Sequence, residues 1–137
     1  MSLGSRALLA VALLATPVVA ADKYPEGADV LTLTNDGSAV GPLARLRVKG
    51  KYTVFDVYAD WCGPCRLVDG YLKELLGRRR DIAVRKLNVV TMDSPLGLEL
   101  GPDFDALPYV VVFSPDGERN DVVGYDEESL DDALHVP

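Results

Sequence analysis

The sequence is poor in the residues that most often bind metal ions. It contains two cysteines and one histidine in 137 residues, and that histidine, His135, stands near the C-terminal end. A structural zinc site usually takes four ligands from cysteine, histidine and acidic side chains. We therefore expect no metal centre held by this chain alone.

Clustered positive charge is also scarce. The formal net charge is −7, and the basic residues are scattered except for the run from Arg78 to Arg80. Because nucleic-acid-binding proteins need positive charge gathered on one face, the composition argues against nucleic acid as a partner. The apolar content of 48% and the charged content of 26% are those of an ordinary globular protein, and the length suits one domain.

Apolar runs long enough to cross a bilayer are missing as well. In residues 1–21, Arg6 precedes the apolar stretch Ala7–Ala15, and small residues before Asp22 offer a cleavage site. This arrangement predicts a secretory signal peptide, with an uncleaved N-terminal anchor as the alternative. We therefore expect an exported, periplasmic protein whose folded domain occupies residues 22–137.

The remaining chain alternates between strand-like and helix-like patterns. After a flexible lead-in over Asp22–Asp29, runs of β-branched and aromatic residues predict strands. Apolar residues at helical spacing predict a helix that begins near Gly63 and is capped by Gly77. The predicted strands are Val30–Thr34, Lys51–Ala59, Ile82–Val90, Tyr109–Ser114 and Asn120–Gly124, with further helices from Ser94 and Asp126. This order predicts an α/β fold in which helices flank a mixed central sheet.

Both cysteines stand in the segment DVYADWCGPC, residues 56–65. A disulfide across so short a loop removes little chain entropy, so a redox-active pair is favoured over a structural staple. Cys62 falls at the N-terminus of the predicted helix, where free N–H groups and the helix dipole lower a thiol pKa towards about 7 or below. Pro64 loses no hydrogen bond at an early helical position. Cys62 is then the attacking nucleophile, and Cys65, one turn further in and shielded, is the resolving thiol.

Two neighbours of the pair are candidates for a role in the same chemistry. Asp56 stands inside an apolar strand, where a buried carboxylate is costly, has a raised pKa and can exchange a proton with Cys65. The alternative is an Asp56 side chain on an exposed strand face. Trp61 is next to Cys62, and this position favours a substrate-facing platform over a core residue.

The W-C-G-P-C motif after a hydrophobic strand resembles the active site of the thioredoxin family, and the similarity covers about residues 51–135. It implies a single thioredoxin-like domain in which Asp56 is the family's buried carboxylate and Lys86 is its partner. Leu107–Pro108 looks like the family's cis-proline loop, whose backbone pairs with an extended substrate peptide. Gly124 matches a glycine near the active-site surface. The implied substrate-binding set is Trp61, Gly63, Pro64, Leu107, Pro108 and Gly124.

The same resemblance implies a thiol:disulfide oxidoreductase that reduces disulfides in partner proteins and needs no cofactor. The segments D-x-Y-A-D-W-C and F-S-P-D-G-E are similar to periplasmic domains of transmembrane thiol-reductant relays, and the T-N-D-G lead-in to exported proteins of cytochrome c maturation. A membrane-embedded thiol reductant is then the expected electron donor, and a monomer the expected form. A disulfide oxidase or isomerase of the same fold and a thioredoxin-like Cu(I) chaperone remain as alternatives.

Overall fold

The computed structural model describes residues 23–137, so the predicted signal peptide lies outside the described residues. Within this range no helix is both long and apolar enough to cross a membrane. The strands are β1 (Asp29–Thr34), β2 (Tyr52–Tyr58), β3 (Ile82–Asn88), β4 (Tyr109–Phe113) and β5 (Arg119–Val123). The helices are α1 (Cys65–Arg78), α2 (Pro95–Leu100) and α3 (Glu127–Leu134), with a short 3₁₀ helix at Leu43–Leu46.

The strands form one mixed sheet in the order β1-β3-β2-β4-β5. β1, β3 and β2 are parallel, whereas β4 runs antiparallel to β2 and forms a hairpin with β5. β2 is therefore hydrogen-bonded on both sides and buried on both faces, as its nearly continuous apolar sequence requires. The predicted α/β fold with a mixed sheet and flanking helices is confirmed, and each predicted strand end differs from the observed one by at most two residues.

The sheet has a hydrophobic core on each face, because successive strand residues point to opposite sides. On one face, Val54 of β2 and Val84 of β3 pack with apolar residues of α1 and α3. On the other face, Phe55 and Val57 pack with residues around α2, and both cysteines join this second core. Asp56 is two residues after Val54, so its side chain points to the same face of the sheet, towards α1.

Helix α1 differs from its predicted bounds at both ends. It begins at Cys65 with Pro64 as N-cap, two residues later than expected. At the other end Gly77 is inside the helix, and the C-cap is Arg79, whose N–H donates to the Leu75 carbonyl. The Arg79 guanidinium also donates to Asp81 and to the Leu134 carbonyl of α3. The helix therefore ends at a residue held by tertiary contacts and not at the predicted glycine cap.

The starts of α2 and α3 follow the local capping rules. The Ser94 hydroxyl accepts a hydrogen bond from the Gly97 N–H, and Pro95 occupies the first turn, as predicted. The Asp126 carboxylate accepts in the same way from the Ser129 N–H. Gly97 packs so closely against the preceding loop that a Cβ at this position would clash with the Met92 carbonyl oxygen.

Candidate active site

Cys62 and Cys65 are disulfide-bonded at the point where the loop after β2 enters α1, with their Cα atoms 5.4 Å apart. The Cys62 N–H donates to the Ala59 carbonyl at 3.0 Å, which holds the loop closed. The Cys65 N–H in turn donates to the Cys62 sulfur at 3.2 Å. The first backbone donor of α1 is therefore aimed at the sulfur of Cys62.

This hydrogen bond favours Cys62 as the nucleophile. When the pair is reduced, a backbone N–H and the positive end of the helix dipole both stabilise a thiolate at Cys62. Cys65 is shielded, as predicted, but Cys62 is equally buried, since each of the two residues is only 5% exposed. The two cysteines differ not in burial but in hydrogen bonding, because the Cys62 sulfur accepts a backbone hydrogen bond.

Asp56 and Lys86 form an ion pair beneath α1. They are direct partners in the parallel register of β2 and β3, so both side chains lie on the same sheet face. Asp56 is fully buried, and its Oδ2 accepts from the Lys86 Nζ at 3.0 Å. Its Oδ1 has no hydrogen-bond partner among the described residues. The exposed-face alternative for Asp56 is thereby excluded, and Lys86 has the position that the resemblance implied.

The electrostatics of this pair leave Asp56 prone to bind a proton. Burial raises the pKa of Asp56, and the opposing attraction of the Lys86 ammonium does not cancel that effect. Burial by itself lowers the pKa of Lys86, but two carboxylates outweigh it, so the pKa of Lys86 is raised. Lys86 therefore stays charged, whereas Asp56 can bind and release a proton.

The second carboxylate is Asp69, which sequence reasoning missed. Its Oδ1 accepts from the Lys86 Nζ at 2.7 Å and from the Tyr24 hydroxyl at 2.7 Å, and its Oδ2 pairs with Lys73 at 2.7 Å. Burial raises the pKa of Asp69, but these three donors outweigh it and lower the value to about 2. The segment predicted as a flexible lead-in thus supplies Tyr24 to the site. The available signal was the spacing, since Asp69 is one helical turn from both Cys65 and Lys73.

A cleft of about 370 Å³ joins these groups to the redox pair. Its lining includes Cys62, Cys65, Asp69 and Lys86, together with Tyr58, Ala59, Asp60 and Arg66. The Lys86 ammonium lies 4.8 Å from the centre of the Tyr58 ring, which covers it from the strand side. Charged side chains line the cleft and it is large enough for water, so protons can pass between the redox pair and the Asp69 and Lys86 side chains.

Trp61 presents an exposed apolar surface next to Cys62. Its side chain is 62% exposed, and its indole N–H donates to the Val90 carbonyl at 2.6 Å. Val90 is itself exposed and has φ = 64°, a conformation that is strained for a β-branched residue. The Asn88 side chain accepts from the Val90 N–H and holds this turn. The position of Trp61 agrees with the predicted platform, whose role remains a prediction.

The Leu107–Pro108 peptide bond is cis, as the resemblance implied. Gly124, at φ = 78°, donates its N–H to the Pro108 carbonyl at 2.8 Å, so the glycine after β5 supports the proline loop before β4. Gly63 and Pro64 are exposed beside the cysteines, and Leu107 is half-buried. The substrate contacts expected of these residues remain predictions.

Known proteins match the part of the chain that contains this site. The family model described as thioredoxin matches residues 44–135, which is most of the chain. The chain belongs to the thioredoxin family. Thioredoxin AMT13 of Alternaria alternata is 33% identical over 92 residues, which cover 66% of this chain and 75% of that relative. Thioredoxin H2-1 of rice is 31% identical over 86 residues, or 63% of this thioredoxin-family chain and 60% of the relative.

Solved structures of thioredoxins agree with the fold. Spinach chloroplast thioredoxin f, in its short form, superposes with a TM-score of 0.61 at 22% identity, covering 79% of this chain and 92% of that one. Reduced Schistosoma mansoni thioredoxin gives 0.58 at 26% identity, with 79% and 97% covered. Thioredoxin-family membership together with the Cys62–Cys65 pair makes this protein a thiol:disulfide oxidoreductase. No group of three or more metal-binding side chains occurs among residues 23–137.

Proposed function

We propose that this protein is an exported reductase that opens disulfides in partner proteins and is recharged by a membrane-embedded thiol reductant. The observation that carries the chemistry is the Cys65 N–H donated to the Cys62 sulfur at the start of α1. Export is supported by the signal-like pattern of residues 1–21. A recharging donor is needed because an oxidising compartment otherwise keeps the pair closed.

The proposed reaction has two exchange steps. The Cys62 thiolate attacks one sulfur of the partner disulfide, which forms a mixed disulfide and releases the partner's other sulfur as a thiolate. Cys65 then gives its proton to Asp56 and attacks the Cys62 sulfur, which releases the second partner sulfur. Two electrons pass to the partner, its two thiolates take up protons, and the Cys62–Cys65 disulfide remains.

The reducing direction rests on the Gly63–Pro64 dipeptide between the cysteines, which resembles that of reducing thioredoxins. Such proteins have reduction potentials of about −270 mV, whereas strong oxidants of the same fold have reduction potentials of about −120 mV. Equilibration of the purified protein with dithiothreitol buffers measures this potential. A value near the lower figure supports the reductase, and a value near the higher figure makes the protein a disulfide donor or isomerase.

The two cysteine variants separate the proposed roles. We expect Cys62→Ser to abolish the acceleration that the protein gives to insulin reduction by dithiothreitol, because the nucleophile is lost. Cys65→Ser retains that nucleophile, so it should form a stable mixed disulfide with the substrate, detectable as a covalent adduct that a thiol releases. Substantial turnover by Cys62→Ser, or an adduct formed by Cys62→Ser and not by Cys65→Ser, would contradict the assignment.

A further inference from the structure

The Lys86 ammonium is shared between two carboxylates that come from different elements. Asp56 on β2 is 3.0 Å away and Asp69 on α1 is 2.7 Å away, so the partially exposed carboxylate is the closer of the two. Tyr24 donates to the same Asp69 oxygen that Lys86 contacts, and Lys73 holds the other oxygen. Three donors therefore fix the Asp69 side chain at the wall of the cleft that both cysteines line.

We propose that Asp69 is a positioning residue for disulfide exchange: it takes a share of the Lys86 charge and so keeps Asp56 able to accept a proton from Cys65. The inference rests on exchange at Cys62 and Cys65, whichever way the electrons flow. It does not depend on export or on a membrane-embedded donor.

The physical basis is the competition of two anions for one cation. Without the Asp69 charge, the Lys86 ammonium pairs with Asp56 alone, and a negative neighbour of Asp56 is also lost. Both changes stabilise the Asp56 carboxylate, which then binds a proton less readily. The Asp56 Oδ1 is buried and has no hydrogen-bond partner among the described residues, so that oxygen is available for a proton.

The remaining neighbours of Asp56 do not duplicate this role. Lys86 on β3 is the cation itself, and the Tyr58 ring on β2 stacks against it. Tyr24 contacts both Asp69 and the Lys86 ammonium but carries no charge, because burial raises the pKa of its hydroxyl, and Lys73 pairs with Asp69. On β4 the register partner of Asp56 is Val110, which has no charge. The Asp69 carboxylate is thus the second anion that faces Lys86 within the described part of the chain.

The direct test is to titrate Asp56 in the oxidised wild type and in oxidised Asp69→Asn, with the NMR chemical shift of the Asp56 carboxyl carbon as the readout. We expect the midpoint to fall by roughly one pH unit or more in the variant. The acid limb of the pH profile for resolution, measured as release of partner thiol from a preformed mixed disulfide, should move in the same direction. A merely structural role for Asp69 would lower stability and leave both profiles in place.

Matched variants keep the test decisive. Glu74→Gln removes an exposed carboxylate from the same helix and should leave the Asp56 midpoint unchanged. Asp69→Glu should restore most of the wild-type midpoint, because the charge returns. If Asp69→Asn does not fold, Lys73→Met carries the test: Asp69 then attracts Lys86 more strongly, and the Asp56 midpoint should rise.

The outcomes also separate this inference from the function proposed above. An unchanged or raised Asp56 midpoint in folded Asp69→Asn, or an unchanged or lowered one in Lys73→Met, would overturn the positioning role. Wild-type protein that does not exchange disulfides with insulin would instead refute the exchange function. A reduction potential near the oxidising end would reverse the direction of electron flow and leave the role of Asp69 intact.

Discussion

Replacement of Asp56 by Asn is expected to stabilise the folded protein at neutral pH. Asp56 is fully buried and one of its oxygens has no hydrogen-bond partner among the described residues, so its negative charge is costly to bury. Removing one member of a buried ion pair usually strands the other. Here Lys86 still has Asp69 at 2.7 Å, so its charge remains paired after the substitution.

The sign of the pH dependence follows from the raised pKa of Asp56, which burial causes. Between the unfolded pKa, about 3.9, and the raised folded value, the native protein holds a proton that the unfolded chain releases. Wild-type stability therefore falls as the pH rises through that window. The advantage of Asp56→Asn should be absent at low pH and, above the window, amount to about 1.4 kcal/mol for each unit by which the folded pKa of Asp56 exceeds the unfolded one.

Urea unfolding of the oxidised protein at several pH values between 4 and 9 measures this difference. Glu74→Gln is the matched control, since it removes an exposed carboxylate, and its pH dependence should follow that of the wild type. An Asp56→Asn protein that is less stable than wild type at pH 8, or a difference that does not change with pH, would refute the reasoning. The variant should also resolve mixed disulfides more slowly, because it cannot accept the Cys65 proton.

Four further substitutions test other parts of the structure. Asp69→Asn should lower the free energy of unfolding by about 1–2 kcal/mol at pH 7, because the pKa of Asp69, about 2, lies below the ordinary 3.8 and the side chain is partly exposed. Urea titrations should show this difference disappearing as the pH falls from 3.8 to 2. Gly97→Ala should lower the free energy of unfolding by about 1–3 kcal/mol, because the new Cβ clashes with the Met92 carbonyl. Gly70→Ala, in open space on α1, should raise it by about 0.5–1 kcal/mol. Trp61→Ala should lower kcat/KM for insulin reduction roughly tenfold, with little change in the urea midpoint, if the exposed indole contacts substrate.

The order of elements could be predicted because local signals mark most of them. Ser94–Pro95 and Asp126 have the composition of helix starts, and both initiate helices in the structure. The end of α1 could not be predicted, because it depends on Arg79, which contacts Asp81 and a distant carbonyl of α3. The four-residue 3₁₀ helix at Leu43–Leu46 is too short to show a periodicity in the sequence.

The redox pair and its buried carboxylate were accessible from the sequence, but the charged network around them was not. Asp56 and Lys86 could be paired only through the family resemblance, since their contact depends on the register of two strands 30 residues apart. Tyr24 and Asp69 are separated by 45 residues, and the segment of Tyr24 has the glycine and proline content of a loop. Composition alone therefore predicted flexibility where a tertiary hydrogen bond fixes the chain.

One helix supplies both electrostatic effects at the active site, and its residue spacing explains how. The first backbone N–H of α1, that of Cys65, acts on the Cys62 sulfur, and one turn later Asp69 acts on Lys86. A further turn brings Lys73 to the outer oxygen of Asp69. Because Cys65, Asp69 and Lys73 follow at intervals of four residues, they share one helix face. Asp69→Asn removes the competing charge while leaving the Cys65 N–H and the buried face of α1 in place. Such a variant should keep the nucleophile and lose the competition for Lys86, so attack and resolution would respond differently to the same change.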